Sequence, residues 1–435
     1  MSLWNWGPLG LFFATHVWNT FIISILGFVA QLESPPPQAE DYMNKLLRKA
    51  AYGVGNWFRA EDMHRLKSAY GFAGEFKDFR KMAAAAMLCT AWKENACEGG
   101  LAHKAHASLV RTAYRNSIYF DRSRQWAGWY ERAAVQQMAE AEERARNVHG
   151  FSRHSIMQAI AGATPQPWGP EVQAKVDKGL QKQIYLRLLQ ADTYDAEGRV
   201  RQNLARFCIN DRRQAARALC RLKSIAKQVP PRVWAATFGV LWNKWATARR
   251  RQILNSKCLL GCSMGEDSLE HYGRCPQVYR FARVRLGLHC RFASSWEYWL
   301  LAATEDPDTC RDKWWERMAW LHYSVLRATN AARLCGGIGG DEAARALWQA
   351  ALEGARGSNL LSWLPQQSSA IETDGEAERE AAASSASAAA VSTAAAAVQQ
   401  PPVANRTATA INTTTIQWAT EATTLDRFKY YFQQF

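Results

Sequence analysis

Residues 258–275 read CLLGCSMGEDSLEHYGRC, which places Cys258, Cys262, His271 and Cys275 in a C-x3-C-x8-H-x3-C array. Three thiols and an imidazole at these intervals suit a closed tetrahedral zinc site, in which four protein ligands leave no open position for chemistry. Such a site folds a module and is structural. The local sequence agrees with that reading. Met264-Gly265 signals a turn, and Asp267 followed three residues later by Glu270 resembles a capping box that opens a helix. A helix there would carry His271 and Cys275 on one face, and Pro276 would end it. The competing reading is four unrelated side chains in a core, which the regular spacing disfavours.

Outward from this array the chain reads as mainly α-helical. It has 435 residues, 48% of them hydrophobic, enough for two or three domains with real cores, and its 19 Trp are unusually many. The formal charge of +15 points to a polyanionic partner, nucleic acid before an anionic membrane face. Beyond the array, Cys89, Cys97, Cys208, Cys220, Cys290, Cys310 and Cys335 form no regular framework and sit in helix-like, often apolar settings. That usage fits buried free thiols in a reducing compartment, nuclear or cytoplasmic.

The basic charge is concentrated just before the array. Residues 206–257 hold thirteen Lys or Arg against one acid, Asp211. Pro230-Pro231 interrupts this stretch, and Pro231 is placed to open a helix. On that helix Trp234, Phe238, Leu241 and Trp245 fall on one stripe, which core packing explains better than base stacking. Arg249, Arg250 and Arg251 would close the same helix, where cations suit the dipole. Capping accounts for one arginine but not for the surrounding charge, so the cluster is read as contacting phosphates. The candidates are Arg232, Lys244, Arg249, Arg250, Arg251, Lys257 and Arg274, with Trp242 or Trp245 available to stack on an unpaired base.

Towards the N-terminus, residues 8–30 are apolar and just long enough to span a bilayer. His16, Asn19, Thr15, Thr20 and Ser24 interrupt them and no Lys or Arg precedes Lys45, so a buried core helix is favoured over a membrane anchor or secretory signal. Helical periodicity is expected over 41–60, through Tyr42, Leu46, Leu47, Ala50 and Val54, and again over 83–92 and 126–146. Residues 150–169, with Pro165 and Pro167, read as a linker. Beyond the array, Trp314, Met318, Leu321, His322 and Val325 make one apolar stripe in which His322 is a core histidine, and Gly336 to Gly340 read as a hinge. From about 365 the chain turns to Ala, Ser, Thr and Gln, the composition of a disordered tail with an aromatic end from Phe428 to Phe435. The segments are therefore 1–165, 166–257 (a basic helical connector), 258–276 (the zinc module), 277–364 (C-terminal helices) and 365–435 (the tail).

Three stretches together resemble the C-terminal part of non-LTR (LINE-type) retrotransposon reverse transcriptases, downstream of the palm. They are VWNTFIISILGFVAQLESPP at 17–36, LRKAAYGVGNW at 47–57 running into LKSAYGFAGEF at 66–76, and VPPRVWAATFGVLWNKWATARRR at 229–251 followed by the array. The third is the most specific, because basic helix and Cys-Cys-His-Cys array occur in the same order and proximity. The resemblance spans residues 10–300 and implies a thumb-like helical region over 1–165, nucleic acid (RNA or DNA) as partner, structural zinc as the cofactor, and no small-molecule substrate. The chain departs from the family in two ways. Retroelement arrays often place four residues between His and the last Cys, where this chain has three; zinc tolerates either. The palm is absent: its Asp-Asp turn, needed to hold two divalent ions, has no counterpart, and the nearest string is Tyr119-Phe120-Asp121-Arg122. Polymerase chemistry is therefore not expected of the chain by itself. A membrane-anchored adaptor carrying a zinc module, or a non-functional relic of a retroelement, are the alternatives.

Overall fold

The computed structural model describes residues 10–31, 34–94, 143–162, 170–253, 256–288, 296–304, 311–335 and 340–355, with single positions at 137, 141 and 338. The expected tail at 365–435, the Tyr119–Arg122 string and most of the helix expected at 126–146 lie outside these residues. Within them the protein is helical, and the sole extended pairing is an isolated antiparallel bridge between Lys257 and Glu266.

The described residues form two compact units, one of 10–14, 48–75 and the part from 195 onward, the other of 15–47 and 76–194. These units are discontinuous in sequence, and residues 258–276 fall within the first of them.

In the first unit the helices Ala196–Leu204, Arg212–Gln228, Pro231–Leu241, Arg311–Cys335 and Gly340–Ala355 surround a core rich in aromatic rings. Trp234, Phe238 and Trp242 recur every four residues and stack in a column, with ring centroids 4.8 and 4.0 Å apart. Phe72 continues the column at 4.6 Å from Trp234, and Tyr70 meets Trp242 edge-on at 4.9 Å. Offset and edge-on geometries of this kind add to the burial of the rings themselves. The expected stripe at Trp314, Met318, Leu321, His322 and Val325 is buried on the long Arg311–Cys335 helix. His322 lies within hydrogen-bonding distance of Thr237, 3.3 Å from Nδ1 to Oγ1, and burial pushes its pKa down to about 3. It is a neutral core histidine, as its apolar neighbours on the stripe suggested.

The Pro231–Leu241 helix stops earlier than expected. Asn243 takes the left-handed conformation (φ 51°), the Lys244 N–H donates back to the Gly239 carbonyl at 2.7 Å and the Asn243 N–H to Val240 at 3.2 Å. This is a Schellman closure with Asn just past the cap. Arg206 then covers the last carbonyls, donating to Val240 at 2.6 Å and Leu241 at 3.1 Å. Arg249, Arg250 and Arg251 are consequently not the end of this helix but a separate 3-10 turn.

In the second unit Phe79–Glu94 packs on Pro170–Ala191, which also receives Arg153–Ala161. That last helix falls inside the expected linker at 150–169 and begins at a Ser152 cap, whose Oγ accepts from the Ser155 N–H at 3.3 Å. The helix expected over 41–60 is instead Gln38–Ala51, and Val54 lies beyond its end. The apolar N-terminal segment is a helix over Gly10–Val29 with a π-helical middle at Trp18–Ile23. Trp18 is buried, its indole N–H donates to the Lys77 carbonyl at 3.1 Å, and the Lys77 N–H donates to Asn19 Oδ1 at 3.0 Å. Asn19 is thus satisfied by protein. The opposite side of the helix leaves Phe21, Ile25 and Phe28 exposed.

Candidate metal centre and its basic flank

Each ligand candidate is positioned by a different local device. Cys258 follows the Lys257–Glu266 bridge, and its N–H donates to the Gly265 carbonyl at 2.9 Å. The chain then turns through Gly261, at φ 72°, to bring Cys262 back towards Cys258. His271 rides on the short Leu269–Tyr272 helix, which is capped by Ser268, whose Oγ accepts from the His271 N–H at 3.1 Å. The cap is therefore one residue later than the expected Asp267. Cys275 is the residue before the Pro276–Leu286 helix, in which Pro276 occupies the first turn. The expectation of one helix bearing both His271 and Cys275 is corrected: Pro276 opens a helix here, and the helix bearing His271 ends before it.

These devices bring the four side chains together, with all four ligand atoms within 4.8 Å of one another. Cys258 and Cys275 sulfurs are 3.9 Å apart, and the Cys262 sulfur is 3.0 Å from His271 Nε2. Tetrahedral coordination with metal–sulfur bonds of about 2.3 Å requires sulfur–sulfur edges of about 3.8 Å. The cluster could therefore hold a metal ion with little rearrangement. Hydrogen bonds from Cys258 and Cys275 hold the Cys262 thiol well below an ordinary thiol, while Cys275 is pushed up by the same kind of contact with Cys258. Burial opposes charge on His271, yet its bonds to Cys258 and Cys262 outweigh this and lift its pKa to about 9.

Two residues outside the ligand set shape the centre. Gly265 lies against the His271 ring so closely that a Cβ there would sit 2.1 Å from Nδ1. Asp267, also buried, accepts from the Tyr272 hydroxyl at 2.7 Å and from Arg333 Nη2 at 2.9 Å. Sequence pattern marks Gly265 only as a turn and Asp267 only as a cap.

The expected phosphate-contacting residues separate into two groups. Trp242 and Trp245 are interior: Trp242 donates to Asp62 Oδ2 at 3.2 Å and Trp245 to the Ala236 carbonyl at 3.3 Å, so neither ring is available to a base. Lys244 also turns inward, with Nζ 4.6 Å from the Trp57 ring centroid and 3.2 Å from the Ala51 carbonyl. Burial dominates over these partners and pushes its pKa down to about 8. Arg250 donates through Nη2 to the Val54 carbonyl at 3.2 Å and is half-buried. Arg232, Arg249, Arg251, Lys257 and Arg274 are exposed. Arg249 pairs with Glu266 at 3.1 Å, and Arg274 lies over the Trp296 ring at 4.8 Å. Part of the positive charge read from sequence is thus structural: Arg206 caps a helix, and Arg221 binds the carbonyls of Leu301 and Ala303 while stacking on Trp315. None of the described cysteines forms a disulfide, and Cys208, Cys220 and Cys335 are exposed, unlike the buried setting expected. Their helical neighbourhoods carried no signal of which face they occupy. Compared with known proteins, the chain matches no protein-family model, no curated protein and no solved structure.

Proposed function

We propose that this protein is a nucleic-acid-binding segment of a LINE-type reverse transcriptase, carrying one structural zinc at Cys258, Cys262, His271 and Cys275 and no polymerase chemistry of its own. The observation that carries the binding reading is the arginine turn beside the metal cluster, where Arg249, Arg251 and Lys257 reach solvent around the edge of the Cys3His loop. The retroelement reading rests on the order of basic segment and array along the chain. Zinc is the ion this donor set favours, since soft thiolates with one imidazole in a closed tetrahedron suit it better than oxygen-seeking magnesium or calcium.

The test is the salt dependence of binding to a single-stranded oligonucleotide. Each phosphate neutralised contributes about −0.7 to the slope of log K against log salt. Replacing Arg249, Arg251 and Lys257 together by Ala should shallow that slope by about two units while leaving the fold intact, because all three side chains are exposed. An unchanged slope would remove the turn from the binding surface. Elemental analysis should find about one zinc per chain, lost in Cys262→Ser.

A further inference from the structure

We infer that Asp267 is a positioning residue that ties the arginine turn to the metal centre, so that metal occupancy sets whether the turn is held in place for a polyanion. The second half of this statement rests on the nucleic-acid reading above; the first does not. Asp267 is 2% exposed and serves three parts of the first unit at once. Its Oδ2 accepts from the Ala248 N–H at 2.8 Å, and its backbone carbonyl accepts from the Arg249 N–H at 3.2 Å, which fixes the start of the turn. Its Oδ1 accepts from the hydroxyl of Tyr272, the residue after ligand His271. Arg333, near the end of the Arg311–Cys335 helix, donates to both oxygens, from Nη2 to Oδ1 at 2.9 Å and from Nε to Oδ2 at 3.3 Å.

The route from metal to turn is short and made of these bonds. The Asp267 N–H donates to the Ser256 carbonyl at 3.1 Å, beside the Cys258–Gly265 bond that holds the first ligand loop. Ser268, next in sequence, caps the helix carrying His271. Ile338, between the Arg311–Cys335 and Gly340–Ala355 helices, adds a second anchor, since its N–H donates at 3.2 Å to the carbonyl of Leu259, which lies between the first two ligand candidates. If the metal leaves, Cys258, Cys262 and His271 lose the bond that fixes their loop and helix, and Asp267 and Tyr272 lose their reference positions. The amides of Ala248 and Arg249 then lose their acceptors. A buried carboxylate receiving an arginine fork and two further donors is a strong junction, because charge-assisted bonds exceed neutral ones about twofold.

Amide hydrogen exchange on the full chain, read on a peptide covering residues 246–253, tests the first half without any nucleic acid. Stripping zinc from the wild type should speed exchange at Ala248 about tenfold, the loss expected for one hydrogen bond to a charged group, and at Arg249, whose acceptor is the neutral Asp267 carbonyl, several-fold. Asp267→Asn that still holds one zinc should show the same acceleration with zinc bound and little more on stripping. Should Asp267→Asn fail to fold, Tyr272→Phe removes the hydroxyl link alone and should accelerate the same two amides in the zinc-loaded chain. Protection that is indifferent to zinc, or unchanged in a folded zinc-loaded variant, overturns the assignment. Affinity for oligo-dT should fall on stripping zinc, and by reciprocity oligo-dT should raise the affinity for zinc, measured by equilibrium competition with a chelator, by the same factor. If oligo-dT binds neither form while the exchange pattern holds, the positioning role stands and the nucleic-acid reading fails. If it binds both forms equally, the control of binding by metal is overturned.

Discussion

Gly265 shows how a single position can matter to the metal centre without being a ligand. A methyl group at this residue would overlap the His271 ring, 2.1 Å from Nδ1 and 2.6 Å from Cε1, so the ring would have to turn and take Nε2 away from Cys262. Gly265→Ala should therefore weaken zinc binding about 10- to 100-fold, the range for losing the support of a ligand, as measured by chelator competition. Equal affinity would mean the loop yields freely. The clustering of the four ligand candidates was legible, because their spacing along the chain already suggests it. Gly265 was not, since the requirement comes from a ring packed across the loop. Lys244 makes the same point electrostatically. It reads as a surface cation, but burial lowers its pKa from 10.5 to about 8. Between those values the unfolded chain binds more protons than the folded one, so this residue adds stability as pH rises through the window. Below pH 8 its buried charge opposes folding in full. Denaturant melts of Lys244→Met against wild type should show the variant's advantage greatest below pH 8 and shrinking towards pH 10.5; a pH-independent difference would place the ammonium in water.

Whole elements were legible where periodicity and local signals agreed. The Pro231–Leu241 helix began where Pro231 indicated, and the core assignment of Trp234 and Phe238 follows from their four-residue spacing. Its end was misjudged because apolar residues continue past Asn243; the left-handed Asn, a known stop signal, outweighed the run of Trp and Leu. The stacked column accordingly runs through Trp242, not through Leu241 and Trp245. On the N-terminal helix the two sides separate sharply. Trp18 is buried with its indole bonded to Lys77, whereas Phe28 is 68% exposed. Trp18→Ala should cost about 3–5 kcal/mol of stability through lost burial and the cavity left behind. Phe28→Ser should change it by less than about 0.5 kcal/mol and improve solubility. Thermal melts of the two variants decide this, and equal costs would mean that the exposed face is covered in solution.

At the scale of the whole molecule, the net charge of +15 is distributed in a way no composition reveals. Arg206, Arg221, Lys244 and Arg250 bind backbone carbonyls, so the charge left for the proposed polyanionic partner is smaller than the sequence total. Discontinuous units are equally hidden from a linear reading, because the pairing of residues 48–75 with those beyond 195 rests on contacts such as Arg199 with Asp62, at 2.7 Å. What the proposed nucleic-acid binding could support chemically depends on where the acids of the chain lie. In-line transfer of a nucleotide needs two divalent ions clamped by neighbouring carboxylates on a rigid frame. The 39 acids of the chain include no Asp-Asp pair, and Asp62 and Asp267, the buried ones among the described residues, are each occupied by an arginine. A carboxylate neutralised in this way is a poor magnesium ligand, since the guanidinium already fills its lone pairs. On the proposed nucleic-acid reading, cations at the arginine turn would draw template and primer close, but proximity without the metal clamp omits the largest electrostatic contribution to the rate. Primer extension with magnesium or manganese on a homopolymer template should accordingly give background incorporation with this chain. Incorporation that tracks the purified protein and vanishes on replacing one of its own acids would show that a metal clamp has been assembled from residues scattered along the sequence.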